Sequence, residues 1–293
     1  MIRKKVAYFH FWKENKMKDE VVNINDDVNF CNGLPFVFIG GPCQIESEEH
    51  ALMVCEFLVK LTSKLNIPYV FKSSFDKANR TSVSSKRGLG LDKSISVFEK
   101  IKKEFNCPIL TDVHLPEQCD IVKDYVDILQ LPAFLCRQTD LIEALAKTQK
   151  PINIKKGQFL SPYKVKNIVE KFKYFGNRNV LLTERGTTFG YNDLVVDMRN
   201  MDIMAQTGKP VIIDATHSIQ HFNENSNITN GNREMAQIIA RSAVASRPIA
   251  GVFCEVHNDP DNAFSDGDTS LNFEMIEKLL IELKQIDDLV KNF

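Results

Sequence analysis

Four side chains able to ligate a metal stand just past runs that read as buried strands. Cys43 follows LPFVFIGG, His217 follows PVIIDAT, and Glu255 and Asp266 stand eleven residues apart around the last such run. A thiolate, an imidazole and two carboxylates suit a divalent transition metal such as zinc, iron or manganese. Parallel α/β barrels gather the carboxyl ends of their strands, so ligands distant in sequence can converge there. Each residue also has an ordinary alternative: a packed thiol, a core hydrogen bonder, a capping or solvated acid. Asp112, His114 and His257 fall near the same rim. Spacing alone therefore leaves the ligand list open.

A second chemistry lies in the cations. FKSSFDKANRTS places Lys72, Lys77 and Arg80 within nine positions, with Ser73, Ser74, Asn79, Thr81 and Ser82 between and beside them. Such a run can cradle phosphate or carboxylate oxygens through charge-assisted hydrogen bonds, although a solvated basic loop would have the same composition. Lys155 and Lys156 in INIKKGQF and Arg185 in LLTERGTTFGY stand at further strand ends, each beside a glycine that lets backbone amides approach a ligand. Gln130 and Arg137 bracket another in LQLPAFLCRQTD. The pattern suggests two anionic substrates. Lys155 could instead form a Schiff base with a carbonyl compound, a reading that leaves the four metal-capable residues unexplained.

The elements that must position these groups are visible as apolar runs of strand length at 35–40, 68–73, 108–113, 126–131, 151–155, 179–184, 210–215 and 250–256. Their continuous apolar character suits parallel strands covered on both faces. Helical patterns intervene at 47–65, 93–105, 116–124, 139–148, 163–175, 193–207, 233–246 and 272–291. Ser47 and the pair Ser161-Pro162 read as helix starts. Eight alternating units predict a single-domain (β/α)8 TIM barrel over 21–293, with an N-terminal extension over 1–20. Residues 1–16 read as optional, and Met17 as an alternative start. The asparagine-rich run 219–234 reads as a lid at the catalytic rim.

Composition bounds the partners. With 43% hydrophobic residues, 26% charged residues and a formal net charge of -1, the chain has no global pull toward nucleic acid or membranes. No apolar run approaches membrane-spanning length, and the first residues do not read as a secretion signal. Seven cysteines without a C-x-x-C pair favour reduced thiols in the cytoplasm, most of them core filler.

The runs GPCQIES, FKSSFDKANR, LQLPAFLCRQTDL, NIKKGQF, TERGTTFGYNDLVVDMR, DATHS and EVHNDPDNAFSDG together resemble the 3-deoxy-D-manno-octulosonate 8-phosphate synthase family, from about Val21 to the C-terminus. The resemblance implies a (β/α)8 transferase, usually a homotetramer, that condenses phosphoenolpyruvate with arabinose 5-phosphate and water, releasing phosphate, for lipopolysaccharide (KDO) biosynthesis. It implies that Lys72, Ser74 and Lys77 hold the phosphoenolpyruvate carboxylate, and that Ala133, Lys155 and Arg185 hold its phosphate, with Gln130 beside them. Asn79, Arg80 and Thr81 would hold the sugar phosphate, joined by Arg137 from a neighbouring subunit. Lys77, Asn79, Lys155 and His217 would act on the reacting atoms. Cysteine in GPC marks the metal-dependent type, with Cys43, His217, Glu255 and Asp266 as ligands of a divalent ion. Thr81 departs from the commoner serine. KANR favours the five-carbon sugar; the alternative is the shikimate-pathway synthase that uses erythrose 4-phosphate.

Overall fold

The computed structural model describes residues 19–80, 82–221 and 230–293. Thr81, the centre of the expected lid and nearly all of the expected N-terminal extension lie outside the described residues. Eight parallel strands close into one barrel. They are β1 (Val37–Gly41), β2 (Tyr69–Lys72), β3 (Ile109–Asp112), β4 (Ile128–Leu131), β5 (Ile152–Lys155), β6 (Val180–Glu184), β7 (Val211–Asp214) and β8 (Gly251–Glu255). Each pairs with its neighbours in chain order, and β8 returns to β1 with Val37 opposite Gly251 and Gly41 opposite Glu255. The helices are α1 (Glu48–Leu65), α2 (Leu91–Phe105), α3 (Pro116–Val122), α4 (Thr139–Lys147), α5 (Val165–Tyr174), α6 (Arg199–Ala205), α7 (Arg233–Ser246) and α8 (Phe273–Lys291). The predicted (β/α)8 barrel is the observed fold.

Every position of these strands is buried and both faces are apolar toward the amino ends, as the continuous apolar runs predict. Outward residues such as Phe38, Phe71, Leu129, Ile154, Leu182 and Ile213 join the large apolar layer beneath the helices. Inward residues near the amino ends, including Val37, Val70, Leu110, Ile128, Leu181 and Ile212, form a separate apolar cluster. A short antiparallel hairpin, Val22–Asn23 with Asn29–Phe30, packs Val22, Val28 and Phe30 into that cluster and closes the amino end. Gly251 makes room for it, because a Cβ there would meet the Phe30 ring at 3.3 Å and the Val37 carbonyl at 2.9 Å. At the carboxyl ends the inward side chains are Lys72, Asp112, Gln130, Lys155, Asp214 and Glu255, all buried.

Side-chain caps begin three of the eight helices. Ser47 accepts the His50 N–H at 3.1 Å, and Asn232 and Asn272 cap α7 and α8 in the same way. Two expectations need correction. Ser161 makes no capping hydrogen bond, and Pro162 opens a 3-10 turn before α5. The helix expected from 193 begins at Arg199, because Asp193–Val195 pairs with Thr187–Phe189 in a hairpin around Gly190. All seven cysteines are free and buried. Among the described residues, no helix is long and apolar enough to cross a membrane.

Candidate active site

The polar carboxyl ends open into a cavity of about 840 Å³. Lys72, Lys77, Asn79, Arg80, Gln130, Ala133, Lys155, Arg185, His217 and Asp266 all line it, so most of the residues singled out from sequence meet in one place. Barrel geometry explains this: each stands at or just beyond the end of its strand.

The metal-capable residues gather on one wall. Cys43, His217 and Asp266 each offer a ligand atom within 4.8 Å of the others. The Cys43 thiol donates to Asp266 Oδ2 at 2.8 Å, and His217 Nε2 lies 3.9 Å from the same oxygen and 3.5 Å from Glu255 Oε1. Glu255 Oε2 is buried without a hydrogen-bond partner. Burial, then the charge of Asp266, pushes the Cys43 thiol well up. A sulfur, an imidazole nitrogen and one carboxylate converge, and Glu255 stands beside His217 outside that group, one oxygen held by Lys72 and the other wanting a partner. This donor set fits a divalent transition metal. His217 Nδ1 lies 2.7 Å from Asp214 Oδ2. Such an outer carboxylate turns the other ring nitrogen toward the cluster.

Beneath the cavity the lysines are paired with buried acids. Lys72 Nζ lies 3.0 Å from Glu255 Oε1 and 3.3 Å from Ser74 Oγ. Lys155 donates to Asp214 and stands 3.4 Å above the centre of the Phe253 ring. Burial drives the Lys155 ammonium down to about 8 against the opposing pull of Asp214. Burial opposes the charged form of Asp214 too, yet His217 and Lys155 hold its carboxyl well below the ordinary range. For Lys77 the neighbouring Cys43, Asp112, Glu255 and Asp266 outweigh burial and raise it. On the opposite wall His114 Nε2 lies 2.9 Å from Asp112 Oδ2.

Arg185 is buried and donates from Nη2 to Gln220 Oε1 at 2.7 Å, while Gln220 Nε2 donates to Asp266 Oδ1 at 2.8 Å. One amide thus bridges an expected phosphate binder and an expected metal ligand. Gln130 Oε1 accepts from Asn153 Nδ2 at 3.0 Å. Asn79 is exposed at the rim, and Arg80 Nη2 donates to the Phe264 carbonyl at 3.2 Å.

Other residues stand elsewhere. Ser74 is fully buried and donates to Asp112, behind the cavity surface. Lys156 points away from the cavity, fully buried, with Nζ on the carbonyls of Gly157, Leu160 and Gly186 and 3.4 Å from Glu184 Oε1. It is a structural cation rather than an anion binder. The Gly186 amide is likewise taken, by Glu184 Oε1 at 2.7 Å. Arg137 is exposed outside this cavity.

Sequence reasoning passed over Asp214, Glu184, Phe253 and Gln220. An acid closing an apolar strand, as in PVIID and VLLTE, was the available signal for the first two. Nothing local marks Phe253 or Gln220.

A family model described as the DAHP synthetase I family matches residues 16–292. The chain belongs to that family. The 2-dehydro-3-deoxyphosphooctonate aldolase of Rickettsia bellii is 54% identical over 265 residues, 90% of this chain and 96% of its own. The proteins of the same name from Rickettsia canadensis and Rickettsia typhi are 53% and 51% identical over 272 residues, 93% of this chain and 98% of theirs. The resemblance read from the motifs is borne out, and the chain is an enzyme of this family.

Proposed function

We propose that the protein condenses phosphoenolpyruvate with arabinose 5-phosphate and water to give 3-deoxy-D-manno-octulosonate 8-phosphate and phosphate. The observation that carries this reading is the cavity lined by buried lysines, rim arginine and asparagine, and His217 and Asp266, behind which Cys43 completes a thiol–imidazole–carboxylate cluster. The names of relatives sharing half their residues support the same reaction. The erythrose 4-phosphate alternative has only the breadth of the family behind it.

In this reading Lys72 and Lys77 draw the phosphoenolpyruvate carboxylate to the cavity floor, and Ser74 acts from behind by holding Asp112. Lys155, Arg185 and the Ala133 turn, with Gln130 alongside, receive the phosphate. Asn79 and Arg80 receive the sugar phosphate, as would Thr81. The positive groups offset the repulsion between two polyanions and convert binding energy into orientation. The vinyl carbon attacks the sugar aldehyde, water adds to the neighbouring carbon, and phosphate leaves with C–O cleavage. In this reading the Asp112–His114 pair would accept the proton that water gives up, a role supported by its contact at the cavity wall. Cys43, His217, Glu255 and Asp266 would hold a divalent ion, which supplies Lewis acidity or orientation for the aldehyde or the water.

The exposed position of Arg137 leaves it free for a role in a neighbouring subunit's site; the homotetramer and the cytoplasmic location rest on the family resemblance. The deciding experiment is phosphate release from phosphoenolpyruvate with each sugar phosphate, before and after chelation with metal add-back. Turnover confined to arabinose 5-phosphate and restored by a divalent ion is the expected result. Turnover confined to erythrose 4-phosphate overturns the substrate, and turnover that survives exhaustive chelation overturns the metal requirement.

A further inference from the structure

One group of titratable side chains at the rim has no part in that scheme. Glu46, His50 and His257 present ligand atoms within 4.8 Å of one another, an arrangement that would suit a second metal. Hydrogen bonding decides against it. His257 Nδ1 accepts the backbone N–H of Asp259 at 3.0 Å, so the ring proton resides on Nε2, which faces Glu46 Oε1 at 3.4 Å. A nitrogen carrying a proton has no lone pair to give an ion. The His50 ring lies 4.4 Å from that of His257 and contacts Asn258 Oδ1 at 2.9 Å. His257 Nε2 and His50 Nδ1 make no hydrogen bond, and the member of the set that holds another element is the Glu46 carboxylate.

What it anchors is the loop between β8 and α8. Glu46 Oε1 accepts the Phe264 N–H at 2.7 Å. The carbonyl of the same residue accepts from Arg80, and its ring lies 3.4 Å beneath Lys86 Nζ. Phe264 is thus clasped by the β1–α1 loop on one side and the β2–α2 loop on the other. Asp266 follows two residues later in a left-handed conformation, φ 51°. At the next position a Cβ would stand 2.3 Å from the Pro260 carbonyl, so Gly267 lets the loop fold tightly on itself. A loop folded this closely passes a shift at Phe264 on to Asp266.

We propose that Glu46 is a positioning residue which, through Phe264, sets both the Asp266 carboxylate beside Cys43 and His217 and the Arg80 guanidinium over the cavity. The inference rests on the metal and sugar-phosphate roles proposed above, and Glu46 itself touches neither ligand.

Cadmium(II) is the probe, because its bond to the Cys43 sulfur gives an ultraviolet charge-transfer band that needs no turnover; calorimetry with arabinose 5-phosphate reads the other arm. Glu46→Ala is expected to weaken cadmium binding by about tenfold or more and arabinose 5-phosphate binding several-fold, with phosphoenolpyruvate within about twofold. Glu46→Gln keeps an acceptor for the Phe264 N–H and is expected to recover both affinities to within about threefold. Glu46→Asp, one methylene short of Phe264, is expected to behave like alanine and carries the test if Glu46→Ala does not fold. Unchanged affinities in Glu46→Ala or Glu46→Asp, or a glutamine variant as impaired as alanine, overturn the proposal. A parent chain without the cadmium band would instead sink the metal reading, leaving the arabinose 5-phosphate arm to decide the role of Glu46.

Discussion

The two ends of the barrel are built from the same strands, often from residues two apart, and differ in nearly every physical respect. On β2, Val70 faces the apolar plug around Phe30, while Lys72 faces the cavity. On β7 the same step separates Ile212 from Asp214. The amino end holds itself together by excluding water. The carboxyl end holds cations against acids in pairs such as Lys72–Glu255 and Lys155–Asp214, whose desolvation offsets much of their attraction. The apolar layer carries stability, so the polar layer two residues away can be arranged for chemistry.

Substitutions at either end should cost stability, and only those at the polar end should also cost activity. Lys155→Ala tests the polar end. We expect kcat/KM to fall by roughly a thousandfold through lost phosphate and charge stabilisation. The same change leaves Asp214 buried with one partner fewer, costing about 3–5 kcal/mol in denaturant unfolding. Ile212→Ala tests the apolar end, with an expected loss of about 2–5 kcal/mol and KM for both substrates unchanged. A change in KM there would break the separation. Cys43→Asn is expected to weaken divalent metal binding by roughly ten- to a hundredfold while leaving the thermal midpoint of the metal-free protein nearly unmoved. Equal metal content in parent and variant after dialysis would remove Cys43 from the ligand set.

The smallest expected effect is one of pH. The Lys155 pKa, ordinarily 10.5, falls to about 8 in the fold. Between those values the unfolded chain binds more protons, so this residue's contribution to stability grows as pH rises. Its charge is lost over the same window, so KM for phosphoenolpyruvate should climb, by at most about tenfold per pH unit. Lys155→Arg should flatten that climb. A neutral Lys155 is also the species a Schiff base would need, and borohydride with substrate is expected to leave the protein unlabelled.

The fold was legible because eight apolar runs, each followed by a helical pattern, carry the signal of strands buried on both faces. The predicted runs already held the polar residues at their ends, such as Lys72 in 68–73 and Glu255 in 250–256, but their continuous apolar character did not say which positions face inward. The hairpin after β6 was missed because TTFGYND offers turn residues and no long apolar pattern. Within the site, the cavity-facing cations were readable from type and position. Lys156 was not, because sequence does not say which of two adjacent lysines faces inward. Gln220 and Glu46 were invisible for another reason: their roles arise from contacts across 46 and 218 residues of chain.

A chamber with one mouth imposes a queue. Among the described residues the hairpin that ends in Phe30 closes the amino end, which leaves the rim where Asn79 and Arg80 stand as the route in and out. On the proposed assignment, whatever sits against Lys72 and Lys155 must pass before the sugar phosphate takes its place, and that sugar then bars the way out. Product-inhibition patterns should accordingly be those of an ordered mechanism, with traffic controlled at the opposite end of the barrel from the seal that makes the order necessary.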